Sequence, residues 1–326
     1  MSEPLKCAIL DDYQDVAMQM ADWNRLSGRI ETTRFEHHLG DEDAVAEALA
    51  EFDIVLAMRE RTPFTASLLA RLPRLRLLVT TGMANASIDL KAARSHGIDV
   101  AGTAGRAGPA AELTWGLLLA LMRTIPHEAA NFRAGGDRWQ LALGSDLIGK
   151  TLGVIGLGKL GARVAGYGKA FEMEVLGFTR TDSEARCNAL GIGHAATLDD
   201  LLSRADVVSL HLTLTPETRH IIGARELAMM KPDAVILNTS RGPLIDEAAL
   251  IAALSEGRIG GAGLDVFDTE PLPLDHPFRT LPNVVATPHL GYVTRQTYEI
   301  FFRDAVEGIE AWLDGRPVRL LNAEQG

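Results

Sequence analysis

The run Thr151-Leu-Gly-Val-Ile-Gly156-Leu-Gly158-Lys-Leu-Gly161 constrains this chain more than any other stretch. Leu152 to Ile155 is a short apolar run with β-branched residues and reads as a buried strand. Gly156-Leu157-Gly158 turns the chain, and the pattern from Lys159 to Phe171 is helical. A second strand is expected over 174–178. Strand, glycine turn, helix and strand form a βαβ unit, and in that setting G-x-G-x-x-G is a specific signal. Gly156 permits the tight turn, Gly158 lets the backbone approach a pyrophosphate, and Gly161 lets helix pack closely on strand. The helix N-terminus adds unpaired N–H groups and the positive end of its dipole, so the stretch is expected to bind a dinucleotide.

The end of the second strand, where an Asp or Glu usually holds the ribose 2′-hydroxyl, reads Gly177-Phe178-Thr179-Arg180-Thr181-Asp182. Thr179 stands where the acid is expected and Arg180 follows it. A hydroxyl beside a guanidinium suits a 2′-phosphate, since Arg binds phosphate bidentately. This favours NADP, or dual use, over strict NAD. The alternative is that Arg180 stacks on adenine or points into solvent. Asp182 lies three residues late for the acid's role.

With 326 residues the chain has ample core for two domains. A net charge of −11 argues against a nucleic-acid partner, which would want a basic face. No apolar run reaches the roughly 18–20 residues needed to span a bilayer, and the N-terminus lacks the basic and apolar regions of a signal peptide. Cys7 and Cys187 have neither a C-x-x-C partner nor metal-ligand spacing, so we expect a reduced, cytoplasmic protein without a metal site.

Before the glycine motif, short strands at 6–10, 54–57, 77–80 and 99–101 alternate with helices, the pattern of a parallel sheet covered on both faces. Gly102 to Pro109 is glycine-rich and reads as a hinge. A helical segment over 110–134 follows, interrupted by Pro126. Repeated βα units run from 183 to 287, and a final helix over 295–314 is expected to cross back onto the first part. The expected architecture is α/β with two parallel-sheet domains. Residues 1–103 and 294–326 form a smaller, flavodoxin-like substrate domain, and 104–293 a Rossmann-type dinucleotide domain.

Three residues fall just past predicted strands: Arg241, Glu270 and His289. In an open α/β sheet, ligands bind beyond the carboxyl ends of strands. Reduction of a 2-oxo acid needs a cation for the carboxylate, which Arg supplies bidentately. It needs a proton donor, and His titrates near neutral pH. A carboxylate beside that His fixes its tautomer. Any one of the three has a bland reading as a loop residue, and their joint placement after the glycine motif carries the signal.

The stretches 149–161, 208–220, 230–242, 263–271 and 287–291 resemble, in order, the D-isomer-specific 2-hydroxyacid dehydrogenase family. The resemblance implies hydride transfer between NAD(P)H and a small 2-oxo or 2-hydroxy acid in an interdomain cleft. Arg241 would bind the substrate carboxylate, His289 would donate the proton, and Glu270 would hold His289. Lys159 and Leu160 would lie at the pyrophosphate. Leu212, Thr239, Ser240 and Asp265 would line the nicotinamide, with Gly291 and Tyr292 bordering the pocket. The backbone of Thr81-Gly82-Met83 would cradle the carboxylate. Tyr292-Val293 departs from the small Ala-Ser of many members and would reshape the pocket mouth. A homodimer is expected by analogy, with the 110–134 segment as interface; the alternative is that this segment is core.

Two alternatives use the same fold: a dinucleotide-sensing corepressor-like interaction protein, and a formate- or phosphite-type dehydrogenase. Arg59 and Arg61 either meet a second anionic group of the substrate or form a self-paired surface loop with Glu60.

Overall fold

The computed structural model describes residues 3–323. The chain forms two compact units, one containing residues up to Arg106 and again from Thr294, the other Ala107–Val293.

Unit 1 carries strands β1 (Leu5–Ile9), β2 (Ile30–Arg34), β3 (Ile54–Ala57), β4 (Leu77–Thr80) and β5 (Asp99–Gly102). Its helices α1 (Glu42–Leu49), α2 (Ala66–Leu69) and α3 (Leu90–Ser95) start at Asp41, Thr65 and Asp89. Each of these side chains accepts a hydrogen bond from an otherwise unpaired amide of the first turn. The sheet is wholly parallel in the order β2-β1-β3-β4-β5, the flavodoxin-like arrangement. β3 and β4 are buried throughout, which explains their unbroken apolar sequences. β2 was not expected from the sequence. It is an edge strand whose residues, Ile-Glu-Thr-Thr-Arg, are half-buried or exposed, so no apolar signal marks it.

Unit 2 contains β6 (Thr151–Ile155), β7 (Glu174–Phe178), β8 (Gly193–His194), β9 (Val207–Leu210), β10 (Val235–Asn238), β11 (Gly261–Leu264) and β12 (Val284–Ala286). Its helices are α4 (Gly108–Met122), α5 (Ile125–Ala134), α6 (Lys159–Ala170), α7 (Ser183–Leu190), α8 (Leu198–Arg204), α9 (Ala224–Met229) and α10 (Glu247–Ser255). The parallel order β12-β11-β10-β9-β6-β7-β8 is a doubly wound Rossmann sheet with one added strand. Its order reverses between β6 and β9, so the glycine turn after β6 sits at the switch point. Trp115, Leu118, Val164 and Leu237 pack on one face, and Leu201, Leu227, Leu250 and Ile236 on the other.

The helix expected over 110–134 is two helices. The break falls at Arg123-Thr124, where Thr124 takes a left-handed conformation (φ 51°), before Pro126. Pro126 then occupies the first turn of α5, where its missing N–H costs no helical bond. The first unit boundary is at 106/107 rather than 103/104. Ala104 N–H donates to Asp304 at 2.9 Å, which keeps the start of the glycine-rich loop with unit 1. Asp304 lies on α11 (Arg295–Leu313), the helix through which the chain rejoins unit 1 and covers its sheet with Phe301 and Phe302.

Candidate active site

In the glycine turn two positions, Gly156 and Gly161, leave no room for a side chain, while Gly158 is open. Gly156 has φ 96°, and a Cβ there would lie 2.5 Å from the carbonyl oxygen of His211. A Cβ on Gly161 would lie 1.9 Å from the carbonyl oxygen of Gly156, so α6 closes directly onto the turn. A Cβ on Gly158 would meet nothing within 4 Å, and this residue, the N-cap of α6, faces open space. Lys159 and Leu160 form the first turn, whose amides have no carbonyl of their own helix to bond. These features fit a pyrophosphate: an open approach, a tight turn beneath it, and free helix-terminal N–H groups. Leu212 flanks the same turn, with Cδ2 3.0 Å from the Gly156 Cβ position.

Thr179 and Arg180 follow β7 directly. The Thr179 N–H donates to Ser183 Oγ at 3.1 Å, and the Arg180 side chain is exposed. Asp182 is the N-cap of α7 and is exposed, with no side-chain cap bond. No carboxylate stands at the end of β7 itself.

Strands β10, β11 and β12 are neighbours, and Arg241, Glu270 and His289 leave their carboxyl ends in turn. Glu270 and His289 are in direct contact: Glu270 Oε2 lies 2.7 Å from His289 Nδ1. The other oxygen of Glu270 accepts from the Phe267 N–H at 2.9 Å, so the carboxylate is held at both ends. With Nδ1 committed to Glu270, Nε2 is the imidazole atom left to act on a ligand. His289 has φ 55°, a conformation that a non-glycine residue adopts at a cost, as occurs at functional sites. Arg241 donates from Nη1 to the Ser240 carbonyl at 2.6 Å.

Asp265 organises the His289 loop. Its fully buried carboxylate accepts from Thr287 Oγ1 (2.6 Å), Leu290 N–H (2.7 Å) and Gly291 N–H (2.8 Å). Burial raises its carboxyl above the usual range, while those three donors and the nearby His289 act against the rise. Gly291 is tight as well, since a Cβ there would lie 3.2 Å from Asp265 Oδ2. Thr239 Oγ1 pairs with Thr114 Oγ1 of α4 at 2.7 Å, and Ser240 Oγ donates to the Leu210 carbonyl at 2.8 Å.

Sequence reasoning passed over His211, Thr114 and Thr287. His211 is half-buried one residue past β9, with Nε2 2.9 Å from Ser209 Oγ. Burial pushes its pKa down to about 4, so it is neutral near pH 7. Its carbonyl closes on the Gly156 position just beyond the paired β6 and β9, a contact with no signal in the sequence. Thr287 stands two residues before His289, and its hydroxyl was the available clue.

In unit 1, Thr81, Gly82 and Met83 follow β4. Gly82 has φ 95°, and a Cβ there would collide with Arg59 Nη1 at 1.8 Å. Arg59 donates from its backbone N–H to Thr81 Oγ1 (2.9 Å) and from Nη1 to the Thr81 carbonyl (3.1 Å). Arg59 Nε is also 3.5 Å from Glu60 Oε2. Arg61 donates to the Asp11 carbonyl at 2.9 Å and stacks 4.4 Å from the Tyr13 ring centroid.

Residues 115–291 match the family model described as D-isomer specific 2-hydroxyacid dehydrogenase, NAD binding domain. The chain is 41% identical to glyoxylate reductase of Aeropyrum pernix over 267 residues, covering 79% of each. It is 40% identical to D-3-phosphoglycerate dehydrogenase of Methanocaldococcus jannaschii over 262 residues, which is 80% of this chain but 50% of that one. The chain thus spans about half the length of that relative. Among solved structures, phosphoglycerate oxidoreductase from Vibrio cholerae superposes with a TM-score of 0.90 at 38% identity, covering 95% of this chain and 99% of that one.

Proposed function

The chain belongs to the D-isomer-specific 2-hydroxyacid dehydrogenase family of oxidoreductases, and on that premise we propose that it reduces a small 2-oxo acid to the D-2-hydroxy acid, and catalyses the reverse oxidation. The contact between Glu270 and His289, set at the carboxyl edge of a dinucleotide-type sheet, carries this reading. When bound, the reduced nicotinamide supplies the hydride. Gly156, Gly158, Lys159, Leu160 and Gly161 hold the pyrophosphate, while Leu212, Thr239, Ser240, Asp265 and Gly291 line the nicotinamide end. Arg241 binds the substrate carboxylate as a planar, bidentate cation and polarises the neighbouring carbonyl. His289 delivers a proton from Nε2 to the carbonyl oxygen. Glu270 engages the other nitrogen, Nδ1, and so turns Nε2 towards the substrate. Thr81, Gly82 and Met83 are the substrate-binding segment of unit 1.

The cofactor reading is NADP at least as readily as NAD, supported by Thr179 in place of an acid and by the exposed Arg180 after it. The protein works as a homodimer, supported by the exposed Ile125, Phe132, Trp139, Leu143 and Ile148 on and after α5. Two buried free thiols, Cys7 and Cys187, support a reducing, cytoplasmic location. No described helix is long and apolar enough to cross a membrane.

The test is turnover of NADH and NADPH, each against glyoxylate, hydroxypyruvate, pyruvate, phenylpyruvate and phosphohydroxypyruvate, for the native protein and His289→Ala. Loss of about a thousandfold or more in kcat for the variant, with dinucleotide binding unchanged, is expected for a lost acid and base. Full turnover by His289→Ala would overturn the assignment.

A further inference from the structure

A hydrogen bond at one edge of an imidazole sets its preferred rotation but does not stop the ring rocking about it. Glu270 anchors Nδ1 of His289 at 2.7 Å, and because Nδ1 lies off the Cβ–Cγ axis this selects one region of a torsion whose wells are broad. Proton delivery from Nε2 needs the remaining rocking limited as well. The structure supplies a second constraint from a residue at which the family resemblance leads one to expect a small side chain.

Tyr292 returns onto His289 because Leu290 to Val293 form a turn closed by Val293 N–H to the Leu290 carbonyl at 2.8 Å. The turn is pinned from below, where Leu290 and Gly291 donate to Asp265. Gly291 has no room to relax, with Ala110 Cβ 3.3 Å and Asp265 Oδ2 3.2 Å from its Cβ position. The phenol ring therefore meets the imidazole edge to face, with centroids 5.4 Å apart and planes at 69°.

We propose that Tyr292 is a positioning residue for His289: its ring is the wall that, together with the Glu270 hydrogen bond, defines the plane in which Nε2 faces the substrate carbonyl. The contact is made by the ring, so the role belongs to the aromatic side chain and not to the hydroxyl. This rests on the assignment of His289 as proton donor. A misaligned donor slows the chemical step while leaving ground-state binding alone.

The test compares Tyr292→Phe, Tyr292→Leu and Tyr292→Met in the full chain, with glyoxylate as the small substrate and phenylpyruvate as the large one. Tyr292→Phe keeps kcat within about twofold. Leu and Met fill similar volume without a flat wall, and each lowers kcat about tenfold for both substrates, with dinucleotide Kd and Tm unchanged. Two aliphatic variants are used so that the comparison is read on whichever keeps the native Tm. Failure of both to fold while Tyr292→Phe folds and works would assign the ring to stability and overturn the proposal. So would a Phe variant as slow as the Leu variant, or a change confined to KM for phenylpyruvate, the mark of a residue that only lines the pocket. Activity retained in His289→Ala would sink the underlying assignment instead, whatever the Tyr292 variants do.

Discussion

Glu270 Oε2 stands 2.7 Å from Nδ1 of His289, and Glu270 Oε1 is simultaneously tied to the Phe267 N–H. One carboxylate thus links the loop after β11 to the loop after β12 and orients the imidazole between them. Replacing Glu270 with Gln keeps an acceptor for Phe267 but removes the charge beside the ring. We expect kcat to fall by about 10–100-fold, part of the roughly 10²–10⁴-fold that a positioned acid–base group contributes. Steady-state turnover beside a Tm measurement checks this, and a native-like rate would sink the orienting role.

Two glycines of α6 should respond oppositely to alanine. At Gly161 the new methyl would lie 1.9 Å from the Gly156 carbonyl, which is backbone and cannot swing away. We expect a loss of about 1–3 kcal/mol or more and weaker dinucleotide binding. At Gly166, in the same helix, nothing lies within 4 Å, and alanine should stabilise by up to about 1 kcal/mol through helix propensity. Urea unfolding of both variants decides the matter, and equal effects would contradict the close packing of α6 on the turn.

The cofactor preference should be movable at one residue. Thr179→Asp places a carboxylate at the end of β7, where it accepts from a ribose 2′-hydroxyl and repels a 2′-phosphate. The ratio of kcat/KM for NADPH over NADH should drop by at least about tenfold. Arg180→Ala should lower the same ratio by acting on NADPH alone. An unchanged ratio in both variants would place cofactor discrimination elsewhere.

His211 makes a pH-dependent contribution to stability. Its pKa is about 4 when folded, against an ordinary value of 6.5, because burial disfavours the charged ring. Between those values the unfolded chain binds a proton that the folded chain does not. Stability is therefore complete above about pH 6.5 and declines as pH falls towards 4, by on the order of 3 kcal/mol from this residue. His211→Asn should flatten that part of the profile. Urea midpoints measured from pH 7 to pH 4 provide the check, and parallel profiles for the two proteins would refute it.

Phe132 and Trp139, 69% and 79% exposed, meet edge to face with ring centroids 5.9 Å apart in unit 2. In the proposed homodimer these rings are covered, and a charge on them would oppose association. Phe132→Arg with Trp139→Arg should give the monomer mass by light scattering. A native protein already at monomer mass would remove the dimer.

What the amino-acid order determined unaided was local or periodic. The β6–α6 turn was legible because tight turns and close helix packing demand glycine at fixed spacing, whatever surrounds them. The buried strands β3, β4 and β9 announced themselves as apolar runs because both their faces are covered. Arg241, Glu270 and His289 could be named because each follows an apolar strand within a few residues, buried for β10 and β11 and half-buried to exposed for β12. The edge strand β2 and the break at Thr124 were not legible, since the first has no buried face to mark it and the second comes from backbone geometry at an ordinary residue. Only the tertiary structure decided that Asp265 gathers Thr287, Leu290 and Gly291, that His211 lies against Gly156, and that Tyr292 meets His289 edge to face. The first two relationships join residues more than twenty positions apart, and the third depends on the turn that the first pins in place. Contacts of that kind are set by strand register and packing, which no linear spacing encodes.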